Sequence, residues 1–449
     1  MEYLNEFLVS VLPYTEWVML FLVVGGGLFL TIYSRLLPFR YFKHAIEITA
    51  GKHDDPNAPG EVSHFQALSS AVAATVGMGN IAGVAIAIYL GGPGVVFWIW
   101  MTALIGMAIK YYSCTLAVMY RGVNPQGMVQ GGPMHYMVQG IGPKAKGLAV
   151  FFSVAGLFGV LPAFTANQLT QTFMNVVDPV SFIALSDFQW KFIVGVVLSI
   201  ASAFVIFGGL KSIVKVTSSL VPTMVGLYFI LGVYILIANI EAVLPAFYLI
   251  FSEAFNFQTM IAGGFWGLVI LGVRRAVFSN ESGVGNAPMY HGQSQSKKGT
   301  DEGLVAMLGP LLDTVLVCTI TGLIVIISGA YLVEDLNGIV LTLEAFRRLF
   351  FGFGDQLLLI MVFVFGISTL FTYSYYGVKC FGFLTKTHWG NYYNYFYIGS
   401  IIFSALVTVE VVIGIIDLSF ALMSIPNMIA ILYLSKRVKK EMRERNWLA

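Results

Sequence analysis

The chain has 449 residues, of which 57% are hydrophobic and only 11% charged, with a formal net charge of +2. Soluble domains carry about 25% charged residues, so the composition excludes a soluble enzyme, a disordered chain and a nucleic-acid binder. Cys114, Cys318 and Cys380 all lie inside apolar runs and offer no disulfide framework.

Apolar runs near the ~20 residues needed to cross a bilayer recur along the chain. They cover 17–33, 65–90, 95–120, 148–174, 192–207, 216–238, 259–278, 304–332, 357–378, 396–412 and 415–434. The sequence therefore predicts an all-α integral membrane protein with eleven transmembrane helices. Barrel strands would be shorter and would alternate in polarity. With the N-terminus outside, the inner loops and tail hold 21 of the 25 Lys and Arg residues, Arg274 and Arg275 among them. That bias is what the positive-inside rule expects, and it places the C-terminus in the cytoplasm; the expected location is the plasma membrane. Residues 239–258, with Pro245 and an amphipathic stretch, read as an outer surface segment. No soluble domain leaves room for an ATPase module, so any pumping must draw on an ion gradient.

Two spans read as interrupted. Thr75-Val76-Gly77-Met78-Gly79-Asn80-Ile81-Ala82-Gly83 lies in the middle of the second span. Each glycine there weakens a helix by ~1 kcal/mol. Broken backbone at that depth is tolerated only where it lines a cavity or ligand site, and a half-helix N-terminus suits a carboxylate. A packing face, Gly79-xxx-Gly83, is the competing reading. Transporters with inverted repeats place a second broken helix at the matching point of the second half. That span carries Gly263, Gly264, Gly267 and Gly272 before Arg274-Arg275. By depth, the break is expected between Gly267 and Val273; the alternative is a bent helix whose Arg pair caps the cytoplasmic end.

The chain resembles the alanine-or-glycine:cation symporters over nearly its whole length. The match rests on residues 75–83, on Gly131-Gly132-Pro133-Met134, and above all on Val273-Arg274-Arg275-Ala276-Val277-Phe278-Ser279-Asn280-Glu281-Ser282-Gly283-Val284-Gly285-Asn286-Ala287-Pro288. Asp313-Thr314 and Cys318-Thr319 also fit. The resemblance implies sodium-coupled uptake of alanine or glycine and the fold of the sodium-coupled leucine transporters, five plus five inverted helices behind one extra helix. The expected organisation is an extra helix and loop (1–64), a first repeat (65–240), an outer segment (241–258), a second repeat (259–436) and a basic tail (437–449). One stretch departs from the family. Where members often read Gly-Asn-Met-Val-Gln-Ala-Asn, this chain has Val160-Leu161-Pro162-Ala163-Phe164-Thr165-Ala166-Asn167-Gln168. Selectivity could differ there.

A zwitterionic substrate needs donors for its carboxylate and acceptors for its ammonium. Unwound N–H groups near Gly77 and Gly79 supply the first. Freed carbonyls near Thr75 and around Gly272, Val273 and Ala276 supply the second. Backbone groups avoid the ~2.5–3.5 kcal/mol of placing a charged side chain at the bilayer centre. Asn80 joins this set. Gln168 is expected to face the substrate, with Phe164 one turn earlier closing the pocket; interhelical glue is the alternative role for Gln168. For sodium, the resemblance points to the hydroxyls of Ser368 and Thr369 against the carbonyls of Ala73 and Val76. The alternative is that those hydroxyls bond back to their own helix. Backbone recognition says little about handedness, so D-alanine is a candidate substrate. Lys110 and Asp313 are intramembrane ionisable groups and a candidate ion pair. The six histidines read as surface groups of the inner loops.

The reading is a sodium-coupled symporter of small neutral amino acids, expected to be a monomer, with proton coupling or another small solute as alternatives. A channel would need ring symmetry. A membrane enzyme finds no HExxH, CxxC or GxSxG motif.

Overall fold

The fold is known from a computed structural model, which describes residues 2–447 apart from 56, 124–126, 128, 178–184, 256–263, 335, 337 and 351. In chain order the helices are α1 (Ser10–Tyr33), α2 (His64–Thr75), α3 (Val84–Gly91), α4 (Val95–Met119), α5 (Lys146–Gly159), α6 (Ala163–Val177), α7 (Asp187–Ile206), α8 (Gly209–Ala238) and α9 (Ile240–Ala254). They continue as α10 (Gly264–Asn280), α11 (Ala287–His291), α12 (Gly299–Ala306), α13 (Thr319–Ser328), α14 (Ile339–Leu349), α15 (Gly354–Leu384), α16 (Tyr393–Leu406) and α17 (Val409–Glu444). Two-residue strands at Gly122–Val123 and Val129–Gln130 pair antiparallel.

Among the described residues, eight helical stretches are long and apolar enough to cross a membrane. The pair His64–Thr75 and Gly79–Gly91, bent by 51°, makes a ninth if it counts as one span. The expected spans 259–278 and 396–412 fall on the shorter helices α10 and α16. Residues 259–263, where the former was expected to begin, lie outside the described residues. The surface is apolar where a soluble protein's would be polar: Phe204 is 81% exposed and Leu244 77%. Such patches are at home against lipid tails. The interior holds the polar groups, including Asn80, Gln168, Glu302 and Asp313, each fully buried.

Local chemistry sets the first half-helix. Ser63 caps α2: its Oγ accepts from Gln66 N at 3.2 Å, and Gln66 Oε1 accepts from Ser63 N at 3.0 Å. This reciprocal box satisfies two of the donors a helix start leaves open. The helix ends at Thr75 because Val76 is extended (φ −77°, ψ 92°).

The second break is not where depth placed it. α10 runs unbroken through Gly272, Val273 and Ala276 to Asn280. The chain then turns sharply, with Glu281 at φ 54°, Gly283 at φ 89° and Gly285 at φ 103°, before α11 resumes. The carbonyls around Gly272 are therefore helical rather than freed. The depth argument failed because it required the Arg pair to leave the bilayer. Arg275 instead stays inside, 3% exposed, with its Nη2 2.8 Å from Asp417 Oδ2 on α17; Arg274 lies 3.8 Å from the same oxygen. Neither arginine caps a cytoplasmic helix end, and neither counts as a loop charge.

Gly272 serves packing. A Cβ there would fall 2.5 Å from Trp98 Cβ and 3.3 Å from the Trp98 carbonyl carbon. Gly272→Val is therefore expected to overpack the α4–α10 contact and destabilise the fold by ~1–3 kcal/mol. Thermal unfolding in detergent measures it; an unchanged midpoint would contradict the packing role.

Candidate functional site

The site grows out of the first break. Gly77 N donates to Asn80 Oδ1 at 3.1 Å, and Asn80 N donates back to the Gly77 carbonyl at 3.1 Å. The Asn80 amide nitrogen donates to the Asp313 carbonyl (2.8 Å) and to Ser279 Oγ (2.9 Å), and lies 3.4 Å from Cys318 Sγ. A short side chain thus stitches the break to α10 and to the segment Leu311–Cys318. That segment and Gly79–Gly83 are both π-helical, a form that redirects carbonyls and recurs at functional sites. The Ile81 carbonyl accepts from Thr342 Oγ1 at 3.3 Å.

Against the break lies a small cavity of about 20 Å³, close to what one ordered water occupies. Thr75, Gly77, Gly79, Phe164 and Thr369 line it, as the sequence led us to expect for a site. Its wall also holds Met78, Thr165, Phe278, Tyr373 and Ile416. Sequence reasoning passed over these. Tyr373 stands one turn beyond Thr369 on α15, and Phe278 sits inside the longest family stretch, so both carried a usable signal. Phe164 and Phe278 meet edge-on with centroids 5.0 Å apart, and the Arg275 guanidinium covers Phe278 at 5.5 Å. That cation also lies next to the cavity through Asp417, the neighbour of Ile416.

Five residues expected at the substrate are not in the cavity wall: Asn80, which holds the bend, and four that stand elsewhere. Gly272, Val273 and Ala276 are packed within α10. Gln168 does not reach the cavity. Its Oε1 accepts from Ile339 N at 3.0 Å, at the start of α14, and its Nε2 donates to Asn167 Oδ1 at 2.9 Å. It acts as interhelical glue, because the first N–H groups of α14 need an acceptor in the protein interior.

The residues expected around a cation do converge. The Ala73 carbonyl accepts from Ser368 Oγ at 3.3 Å and from Thr369 Oγ1 at 3.1 Å. Both hydroxyls also bond back to the Phe365 carbonyl, at 2.8 and 3.2 Å. Gly77 keeps the spot open, since a Cβ there would meet Thr369 Oγ1 at 2.5 Å. No partner of the Val76 carbonyl is seen among the described residues. A second set of oxygens surrounds Asn80: Ser279 Oγ lies 3.0 Å from Thr314 Oγ1, which in turn bonds the Asp313 carboxyl. Lys110 acts electrostatically on Asp313 and Glu281 without a direct ion pair to Asp313 among the described residues. Thr314 takes one oxygen of that carboxyl, and the other has no hydrogen-bond partner among the described residues.

Away from the cavity, Glu302 is clamped between two histidines. Its Oε2 meets His64 Nδ1 at the start of α2, and its Oε1 meets His291 Nδ1 (2.5 Å) at the end of α11. His64 and His291 are 3% and 1% exposed, so they are not surface groups. Their partner lies 238 residues from His64, which no local spacing reveals. The brace ties both half-helices that follow or precede a break to α12.

These features define a multi-pass membrane transporter built around two interrupted helices. The structure of MhsT in complex with L-phenylalanine superposes with a TM-score of 0.56 at 14% identity, covering 81% of this chain and 89% of that one; the likeness establishes the fold. Residues 1–447 match the model of the sodium:alanine symporter family. The sodium/alanine symporter AgcS of Methanococcus maripaludis is 40% identical over 433 residues, 95% of this chain and 94% of the relative. The probable sodium/glutamine symporter GlnT of Bacillus subtilis is 31% identical over 98% of this chain and 90% of its own length. The chain belongs to the sodium:alanine symporter family and is a transporter, not an enzyme.

Truncating the His64–Glu302–His291 brace should be costly. Removing one partner of a buried charged pair costs ~3–5 kcal/mol, because the other is left uncompensated. Glu302→Ala is expected to lower the thermal midpoint sharply, and Glu302→Gln less so. Equal midpoints for Glu302→Ala and the unaltered chain would refute the brace.

Proposed function

We propose that this chain is a sodium-coupled symporter that takes up small neutral amino acids, alanine first, by alternating access. The observation that carries this reading is the junction at the first break. There a helix-interior carbonyl, Ala73, meets the hydroxyls of Ser368 and Thr369 directly beside the cavity at Thr75–Gly79. Broken helices in this fold class present half-helix N-termini to carboxylates and unwound carbonyls to cations.

In this reading Ala73, Val76, Ser368 and Thr369 hold Na+, the co-transported cargo. Met78 and Gly79 open the second half-helix, where N–H groups lack partners within the helix, and face the substrate carboxylate. The Gly77 N–H, taken by Asn80 Oδ1, holds the bend instead. Thr75 and Thr165 are the polar wall, and Phe164, Phe278 and Tyr373 bound the side chain. The tightness of the cavity favours alanine and glycine, with D-alanine tolerated, over a solute the size of glutamine. Admission of substrate requires the Phe278 and Tyr373 rings to swing outward. Arg275–Asp417, capping Phe278, closes the outer side. Below Tyr373, α15 leads to an inner vestibule lined by Ser374 and Tyr375. Opening one side while the other is closed makes the cycle.

The membrane arrangement follows the sequence: eleven spans, one ahead of a five-plus-five inverted repeat, in the plasma membrane with the N-terminus outside and the C-terminus in the cytoplasm, acting as a monomer.

Uptake of labelled alanine into proteoliposomes tests the function directly. Uptake is expected to require an inward sodium gradient, with unlabelled glycine competing and glutamine not. Proton-driven, sodium-independent uptake would reject the ion. Ser368→Ala removes one oxygen worth ~1.4 kcal/mol to a charged partner, so the sodium concentration for half-maximal uptake should rise about tenfold; Asn80→Ala should raise it as well. Unchanged sodium dependence in both would remove these residues from the site.

A further inference from the structure

The inner vestibule is far larger than the central cavity, about 680 Å³. One end, at Gln130, Gln293 and Ser374, adjoins the path below Tyr373. The other end reaches sideways between the α7–α8 turn and the turn from α15 to α16. A neighbouring cavity of about 360 Å³ continues it, sharing His388, Asn391 and Asn394.

The sideways end is cationic. Lys211 and Lys386 line it, whereas Lys379 and the carboxylate Glu61 belong to the end at Gln130 and Gln293. Neither Lys211 nor Lys386 forms an ion pair with a described residue. Lys379 Nζ donates to Gln130 Oε1 at 2.9 Å and lies 5.2 Å from the Tyr375 ring centre, which keeps its charge at the other end. His135 adds no charge at neutral pH, because burial pulls its pKa down to about 4. In the wall, Asn394 is only 4% exposed, yet its Oδ1 has no hydrogen-bond partner among the described residues. A buried amide oxygen of this kind ordinarily finds a donor. The rim is aromatic and open: Phe207 and Tyr395 pack at 5.1 Å, and Tyr392 and Tyr395 are 63% and 65% exposed.

We propose that this end of the vestibule binds the headgroup of an anionic, hydroxyl-bearing phospholipid of the phosphatidylglycerol type. Its phosphate sits between Lys211 and Lys386, a glycerol hydroxyl donates to Asn394 Oδ1, and its chains leave over Phe207, Tyr392 and Tyr395. Basic pockets between membrane helices are suited to such headgroups, and aromatic rings sit at the membrane–water interface beside them. A soluble phosphate ester shares the headgroup chemistry but has no use for the apolar rim, which is why the geometry favours the lipid.

The full-length chain in detergent, given an equimolar mixture of phosphatidylglycerol and phosphatidylcholine, provides the test, with retained lipid counted by native mass spectrometry. Each lysine near an anionic headgroup contributes roughly a fivefold preference. With two lysines, phosphatidylglycerol should be enriched about 25-fold on the unaltered chain, and the enrichment should vanish in the double variant Lys211→Gln/Lys386→Gln. Both lysines are exposed, so the variant should stay folded, and an unchanged thermal midpoint in phosphatidylcholine alone verifies it. Asn394→Leu supplies a second check, lowering the preference for phosphatidylglycerol over phosphatidic acid, which lacks the hydroxyls. Soluble glycerol phosphate should fail to displace the lipid. Equal retention of the two lipids, full enrichment in the double variant, or displacement by soluble glycerol phosphate would each overturn the proposal.

Discussion

Everything in this fold depends on how a membrane helix can be broken at its middle without exposing backbone to lipid. An unpaired amide in hydrocarbon costs several kcal/mol, so the break must be satisfied from within the protein. Asn80 does most of this. Its side chain accepts from Gly77 N and donates to the Asp313 carbonyl and Ser279 Oγ. Those acceptors are available because Leu311–Cys318 is π-helical and α10 places Ser279 opposite. The bend, the cavity and the polar junction at Ala73 are consequences of that one satisfied interruption.

The second break is held differently. Glu281 takes a left-handed conformation and accepts from Tyr373 Oη at 2.6 Å. Asn427 Nδ2 donates to the Gly283 carbonyl at 2.6 Å, and Gly285 fits where a Cβ would strike Phe152 and Pro133. Tyr373 therefore touches both the central cavity and the second break. The two charged clusters flank this centre, Arg275–Asp417 on one side and His64–Glu302–His291 on the other, each joining a half-helix to a neighbouring helix. Ion pairs sheltered from lipid in this way let charged residues stand inside a membrane protein.

Much of this was legible in the residues. The first break was readable because two glycines and an asparagine in an apolar span have few other uses, and Ser368-Thr369 stood out as paired hydroxyls in an apolar helix. The second break was misplaced because the sequence shows Arg274-Arg275 but not Asp417, more than 140 positions later, that makes the pair tolerable inside. Gln168 was misread for a similar reason: a lone amide in an apolar helix looks the same whether it faces a solute or caps α14. Phe278 and Tyr373 were hidden because aromatic residues at helical spacing usually pack a core. For the second break and for Gln168 the missing fact was a partner distant in sequence, which periodicity and depth cannot supply.

The central claim is that the interruption at Val76–Asn80 is the seat of the transported solute. An experimental density map of the chain with alanine and sodium present tests this most directly. The account predicts a bent α2–α3 pair with the solute lodged between Gly79, Thr75 and Phe278, and an ion beside the Ala73 carbonyl. A straight helix through those residues, or alanine bound elsewhere with this cavity closed, would contradict it.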